Sequence, residues 1–446
     1  MSLESRAPLL DEDRAPLLGG FEVSRGSVAP TLEAAPLAAL IELVRTGRAG
    51  TRPELVAVSG LSRKVVTQRI EQALELGLLR EGGLAPSEGG RQARTLEFAS
   101  DAGHVYAAVI GASEFTVAVS DLAGTLIATG HEDWSVATGP QATLERVRLA
   151  FERVAAEAGV SRPWGIVVGV PGPVEFGSGR LVAPPIMPGW HDVNVRAWFR
   201  DHYDAPVWVD NDANLMALGE WAGGAHRDSR DLLFVKVGTG IGAAMIIRGR
   251  LIRGERGGAG DIGHMRVTDD PDAVCRCGRA GCLEAVASGW AILLAAEERA
   301  QESPFLSEIT GRGDAVALGD LGRGAQEGDP LSMELLTGAG RIVAGVIANL
   351  VNVLNPGVVA IGGGVLRGGE YFVDLVTDAV RSGCTDLVAE RLVIRAASLD
   401  QLEGVTGAAL LAIENVLAPA GLIQWVGEGV PFGHASALQR YAGAFN

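Results

Sequence analysis

Long apolar runs are missing from this sequence. No stretch of about eighteen consecutive apolar residues occurs, the length a helix needs to cross a bilayer. The first residues, MSLESRAPLLDEDRAPLL, mix acids among leucines and lack the basic-then-apolar order of a secretion signal. The cytoplasm is therefore the expected compartment, with no membrane partner. An excess of positive charge is missing too. The formal net charge of −16 at pH 7 argues against a whole surface that coats nucleic acid, but leaves room for one small DNA-reading module on an acidic body. Cysteine is scarce, with four in 446 residues. Three of them, Cys275, Cys277 and Cys282, are crowded together, which in a cytosolic chain points to a metal more than to a disulfide. Cys384 stands apart and is expected to be a buried small hydrophobe.

What is present fits an ordinary globular protein, with 47% hydrophobic and 21% charged residues. The length exceeds what one compact core accommodates, so two or three domains are expected. Residues 1–31 read as a flexible, Pro-, Gly- and acid-rich tail in which RAPLL occurs at 6–10 and again at 14–18. From there the pattern becomes amphipathic. PLAALIELVRTG (36–47), RPELVAVSG (52–60) and SRKVVTQRIEQALELG (62–77) predict three helices, closed by Gly47 and Gly60 and opened, for the third, by Ser62. LLREGGLAPSEGGRQARTLEF (78–98) predicts a hairpin with a Gly-rich tip. Beyond about residue 103, apolar runs at 105–111, 165–170, 232–237 and 357–363 alternate with longer helical patterns, which implies α/β layering. The expected division is a DNA-binding module at 32–100, a body at 101–420 and a C-terminal extension at 421–446 whose role the sequence does not reveal.

Two short helices joined by a tight turn, then a longer third, give the order of a helix-turn-helix. Leu61, Val66, Ile70 and Leu74 form one apolar stripe on the third helix. Arg63, Lys64, Thr67 and Gln68 are left on the other face, where they suit base edges and phosphates in a major groove. Arg91 at the hairpin tip is placed to enter a minor groove as part of a wing. The alternative is a winged helix used only for protein contacts.

A second motif is VDNDAN (209–214), just after the apolar run APVWV. Asp212 in it has three readings: a base for phosphoryl transfer, a hydrogen-bond acceptor for a sugar, or one member of an Asp/Asn cap on the next helix. A third motif, GDIGHMRVTDDPDAVCRCGRAGCLE (260–284), supplies His264, Cys275, Cys277 and Cys282. Four such ligands close a tetrahedral zinc site, with no open position for a catalytic water.

Taken together, GLSRKVVTQRI, SEGGR, GVPGPV, VDNDAN, VGTGIGAA, GAGDIGH, CRCGRAGCLE, AIGGGV and GVTGAA resemble the ROK proteins, a family of repressors, open reading frames and sugar kinases. The likeness runs from about residue 35 to 415. A winged helix ahead of the ROK body resembles the regulator branch, similar to repressors responsive to xylose or N-acetylglucosamine. The resemblance implies a winged helix-turn-helix followed by a two-lobed, actin-like (ribonuclease H-like) body with a sugar cleft between the lobes. In that cleft Asn211 and Asp212 would contact sugar hydroxyls, with Asp212 at the kinase base position. Asp261, where the family usually has Glu, His264 and Glu284 would complete the site, and the turn at Pro188, Gly189 and Trp190 would line it. His264 would bind zinc through one nitrogen and sugar through the other.

The family's kinases open with an Asp-x-Gly-x-Thr phosphate loop, and the matching stretch here is VIGAS (109–113). Val109 stands at the Asp position and cannot help hold a metal, and Glu114 brings a carboxylate toward where a triphosphate would lie. The glycine turns at 238–242 and 362–364 remain. The favoured expectation is a transcriptional regulator, a repressor, that binds a paired DNA operator as a homodimer or dimer of dimers and takes a sugar as effector. An ATP-dependent hexose kinase with an appended DNA-binding module is the main alternative, and a partner-regulated interaction protein the other.

Overall fold

The computed structural model describes residues 29–86, 92–224 and 229–442. Three helices come first: α1 (Ala29–Arg45), α2 (Arg52–Ser59) and α3 (Arg63–Glu75), followed by the antiparallel pair β1 (Leu79–Leu84) and β2 (Arg94–Phe98). This is the layout of a winged helix-turn-helix. Local chemistry sets the boundaries. Thr51 and Glu54 cap α2 reciprocally, with the Thr51 N–H donating to Glu54 at 2.9 Å. Gly60 turns the chain at φ +67°, and the Ser62 hydroxyl accepts from the Val65 N–H to start α3. α1 begins earlier than residue 36, with Pro36 inside it, so the periodic stretch that suggested a helix start is its middle.

The body contains two five-stranded sheets of the same topology. In the first lobe β3 (His104–Ile110), β4 (Glu114–Asp121) and β5 (Leu126–Asp133) form a meander, and β6 (Gly165–Val170) and β7 (Val207–Asn211) add in parallel on the far side of β3, giving the order β5-β4-β3-β6-β7. The second lobe repeats this with β8 (Leu232–Val237), β9 (Ile241–Ile247), β10 (Arg250–Ile252), β11 (Val358–Gly362) and β12 (Val393–Ala396), in the order β10-β9-β8-β11-β12. β6 and β11 are buried along their whole lengths, as parallel strands covered on both faces must be.

Between the sheets lie two helices, α4 (Asp212–Gly223) and α5 (Glu403–Leu417). Their backbones touch. A Cβ on Gly219 would stand 1.8 Å from the Glu403 carbonyl oxygen, and one on Gly407 would stand 1.9 Å from that of Leu215. Only glycine permits that approach. The same apolar layer takes in Leu37 and Ile41 of α1, Trp208 of the first sheet and Phe234 of the second. The C-terminal extension forms α6 (Pro419–Trp425) and α7 (Ala435–Ala442). α6 packs on α1, and Trp425, fully buried, meets Trp164 edge-on at 5.3 Å.

Glu403, at the start of α5, is a buried carboxyl with one oxygen unpaired. Burial pushes it up to about 7, and the Glu220 and Asp400 carboxylates add to the effect. A carboxyl raised in the fold stabilises it fully below the unfolded value and loses that contribution as pH rises through the folded one. Between about pH 5 and pH 8 the native chain should therefore lose roughly 2 kcal/mol more stability than Glu403→Gln. Parallel pH profiles of the two melting curves would contradict this.

Candidate functional site

β7 ends in VDN and α4 begins with Asp212, so the strand-to-helix turn delivers VDNDAN to the mouth of the interlobe cleft. Asp210 braces it from below. Its carboxylate accepts from the Asn211 N–H and the Asn214 side chain at 2.8 Å each, and from Arg253 of the second lobe at 2.8 Å. Arg253 in turn lies 4.0 Å over the Phe176 ring. Asn211 caps α4 through its side-chain oxygen and donates its amide to the Gly172 carbonyl at 3.2 Å. The capping reading of this hexapeptide is thus true of Asn211, and it leaves the other readings of Asp212 open. Asp212 is buried, with one oxygen on the Ala213 N–H and the other on the Lys236 ammonium of β8.

Asn211, Asp212, Asp261, His264 and Glu284 line one cavity of about 370 Å³ between the lobes. Glu284 is buried. One of its oxygens accepts from the Ile241 N–H at 2.9 Å, and the other has no hydrogen-bond partner, with Arg276 at 3.7 Å. Gly240 makes room for it, since a Cβ there would lie 2.2 Å from that carboxylate. Pro188, Gly189 and Trp190 do not line this cavity. Trp190 is fully buried and donates to the Val136 carbonyl at 3.1 Å, and Pro185 and Ile186 take the cleft wall instead. An indole that large is worth more inside the lobe's core than at a wet rim.

The four residues of the Cys/His motif converge. The ligand atoms of His264, Cys275, Cys277 and Cys282 all lie within 4.8 Å of one another. His264 Nδ1 is 3.7 Å from Cys275 Sγ, and Cys277 Sγ is 3.7 Å from Cys282 Sγ. A tetrahedron with metal–sulfur bonds of about 2.3 Å has edges of about 3.8 Å, so the donor set fits a four-coordinate metal ion. His264 Nε2 points the other way, toward Asp261 at 3.9 Å. Burial pushes the Cys275 thiol up to about 12. At Cys277 burial also raises the thiol, but Arg279 outweighs it and leaves the group at about 7, ready to bind as thiolate. Cys384 is only partly buried, packed at the margin of the second lobe's core.

In the N-terminal module, Arg63, Lys64, Thr67 and Gln68 are all exposed on α3, opposite the buried Val66 and Ile70. Leu61 and Leu74 pack partly buried beside them. Arg91 lies outside the described residues.

Sequence reasoning missed three cations, two lining the cleft and one beside it. Lys236 neutralises Asp212. Arg276, between two cysteines of the cluster, donates to the Thr239 carbonyl at 2.9 Å and stacks 4.7 Å over Trp290, tying the cysteine loop to the glycine turn. Arg367 of the second lobe donates to Glu114 of the first at 2.7 Å and to Gln401 at 3.1 Å. Lys236 carried one usable signal, because it and Lys64 are the chain's only lysines.

Residues 105–415 match the ROK family. The xylose repressor of Caldicellulosiruptor bescii is 28% identical over 375 residues, spanning 82% of this chain and 92% of that one. A crystal structure of a ROK family transcriptional regulator, homolog of the Escherichia coli MLC protein, superposes with a TM-score of 0.74 at 22% identity, over 89% of this chain and all of that one. That of a ROK family glucokinase from Streptomyces griseus in complex with glucose and AMPPNP gives 0.63 at 27% identity, over 70% and 99%. The shared fold is the two-lobed, actin-like one.

If the Cys/His cluster holds a metal, purified chain should contain about one tightly bound ion. Cys282→Ser should lose it and melt roughly 5 °C lower. Elemental analysis paired with melting curves checks this, and a metal-free chain as stable as the variant would contradict it.

Proposed function

The chain belongs to the ROK family, and we propose that within it this protein is a cytoplasmic, sugar-responsive transcriptional repressor that has given up sugar phosphorylation. One observation carries the reading. A winged helix-turn-helix with an exposed polar face on α3 shares its core with a two-lobed body whose cleft gathers Asn211, Asp212, Asp261, His264 and Glu284 around a cavity of about 370 Å³. Carboxylates and an amide are strong partners for vicinal hydroxyls. The Caldicellulosiruptor relative is alike over nearly its whole length, N-terminal module included, which supports the regulator branch.

Four features of the cleft speak against kinase chemistry. Val109 packs against Gly404 and Gly169 in the position where the resemblance calls for an aspartate, and offers no ligand to a metal. The Asp212 carboxylate is already engaged by the Lys236 ammonium and is not free to face a substrate hydroxyl as a base must. Glu114 puts a carboxylate where a phosphoryl donor would sit. Arg367, a cation that could have met phosphate, is spent on that carboxylate. Both ion pairs line this cavity and a second one of about 570 Å³ behind it, and so stand between the two.

In this reading His264, Cys275, Cys277 and Cys282 hold a structural zinc ion, which fixes the His264 ring so that Nε2 faces the sugar. Arg63, Lys64, Thr67, Gln68 and Arg91 contact DNA. A dimer, or a dimer of dimers, presents two α3 helices to half-sites about 34–36 Å apart, so the operator is an inverted repeat. Sugar alters lobe closure and with it the spacing of the two heads.

The test is a gel shift with DNA from upstream of the chain's own gene, repeated over a panel of sugars and sugar phosphates, beside a coupled ADP-release assay. Shifts altered by one sugar without ADP release support the reading; sustained sugar-dependent ADP release, or no DNA binding at all, refutes it. Asp212→Asn should weaken binding of the active sugar about 10- to 100-fold, the scale of one charged hydrogen bond, with DNA affinity in its absence unchanged. A wild-type sugar affinity in that variant would remove Asp212 from the site.

A further inference from the structure

Within the interface between the reading head and the body lies a buried charge that the site described above does not use. Arg45, in the last turn of α1, has a side chain only 1% exposed. Its guanidinium donates to Glu42 at 2.5 Å, one turn back on α1, and to Glu414 on α5. Burial pushes Glu42 up to about 7 even with Arg45 beside it. The surroundings are apolar: Leu37, Leu40 and Ile41 of α1, Ile413 of α5 and Trp425 of α6 belong to the same core. An apolar interface of this kind tolerates sliding. A buried ion pair does not, because each charge is stabilised only while its partner stays in register.

The position of Glu414 gives the triad its meaning. α5 spans fifteen residues, about 22 Å at 1.5 Å per residue. Its first turn lines the second cavity, behind the ion pairs that border the sugar cleft, where Gly404 packs on Val109. Its last turn carries Glu414 to α1. Alongside it, α4 starts at Asp212 and touches α5 backbone to backbone at Gly219 and Gly407. No side chain cushions those contacts, so a shift of α4 moves α5.

We infer that Glu414 and Arg45 are the coupling residues of this protein, through which α5, gripped by the helix α4 that begins at the sugar cleft, sets the orientation of the DNA-reading head. The inference rests on the regulator reading above. It adds where the signal crosses from body to head, and it requires neither residue to touch sugar or DNA.

The experiment uses the full chain and two variants. Glu414→Gln keeps the shape and removes the charge. Glu414→Asp keeps the charge and shortens the reach. Affinity for a labelled duplex from upstream of the chain's own gene is measured without and with D-xylose or D-glucose, whichever acts on the native chain, and sugar affinity is measured separately. In the native chain sugar should change DNA affinity about tenfold or more. In Glu414→Gln that factor should fall below about twofold, with sugar affinity and sugar-free DNA affinity each within about threefold of native; Glu414→Asp should recover part of the response. Calorimetry supplies a readout that needs no effector, since the single melting transition of the native chain should split in Glu414→Gln, the head melting first. A Glu414→Gln chain that answers sugar as the native chain does, or melts in one transition with it, overturns the coupling role. So does one whose sugar affinity collapses, because the residue would then serve the cleft. If neither sugar moves the native chain, the regulator reading fails for those sugars and the calorimetric arm still decides the triad. Should Glu414→Gln not fold, a Glu414→Asp chain with an undiminished response and one transition overturns the proposal.

Discussion

α4 and α5 meet without side chains between them, and Asp212 of the cleft and Glu414, the residue that meets α1, each stand on one of the two. The contact exists because Gly219 and Gly407 present bare backbone at the crossing. Asp212 is the first residue of one helix and Glu414 lies in the last turn of the other. The two lobes pack their sheets against opposite sides of this pair, and the reading head rests on its far end together with α6. A wider side chain at either glycine would separate the helices and, with them, the cleft from the head.

The chemistry of the cleft follows from what its charges are committed to. A phosphoryl-transfer site needs its base free and its cations facing phosphate. Here the carboxylate at the base position faces an ammonium, and an arginine on the opposite lobe faces a carboxylate. Lobe-to-lobe attraction that Mg-ATP provides in a kinase is supplied within the chain by Arg367 and Glu114. What stays open is the part suited to hydroxyls: the unpaired oxygen of Glu284, the Nε2 edge of His264 and the half-exposed Asp261. A ligand of differential affinity for open and closed lobes is enough to shift such a device.

Much of this was legible in the sequence wherever the cause was local. Ser62 and Gly60 marked α3 because capping and left-handed turns are decided within a few residues, and the cysteine spacing announced a cluster because four ligands on one loop reach one another. Val109 was visible only as a valine at the position where the resemblance calls for an aspartate. The illegible parts are tertiary. Lys236 reads as one polar residue in an apolar strand until β8 is laid beside the start of α4. Glu114 and Arg367 stand 253 residues apart, and no periodicity joins them. Trp190 was expected in the cleft from the family resemblance, but burial of its ring decided otherwise. The C-terminal extension showed no period because its two helices are short and α6 is held by Trp425 rather than by a long amphipathic face.

The central claim is that sugar and DNA act on one conformational equilibrium in a chain that performs no transfer. Linkage makes this testable in a single quantity, because whatever factor sugar imposes on DNA affinity, DNA must impose on sugar affinity. Calorimetric titration of the active sugar into the chain, free and saturated with its upstream DNA, measures that factor with no nucleotide present. The account predicts sugar binding in both cases, with dissociation constants that differ severalfold. Equal constants, or binding that appears only when Mg-ATP is added, would contradict it.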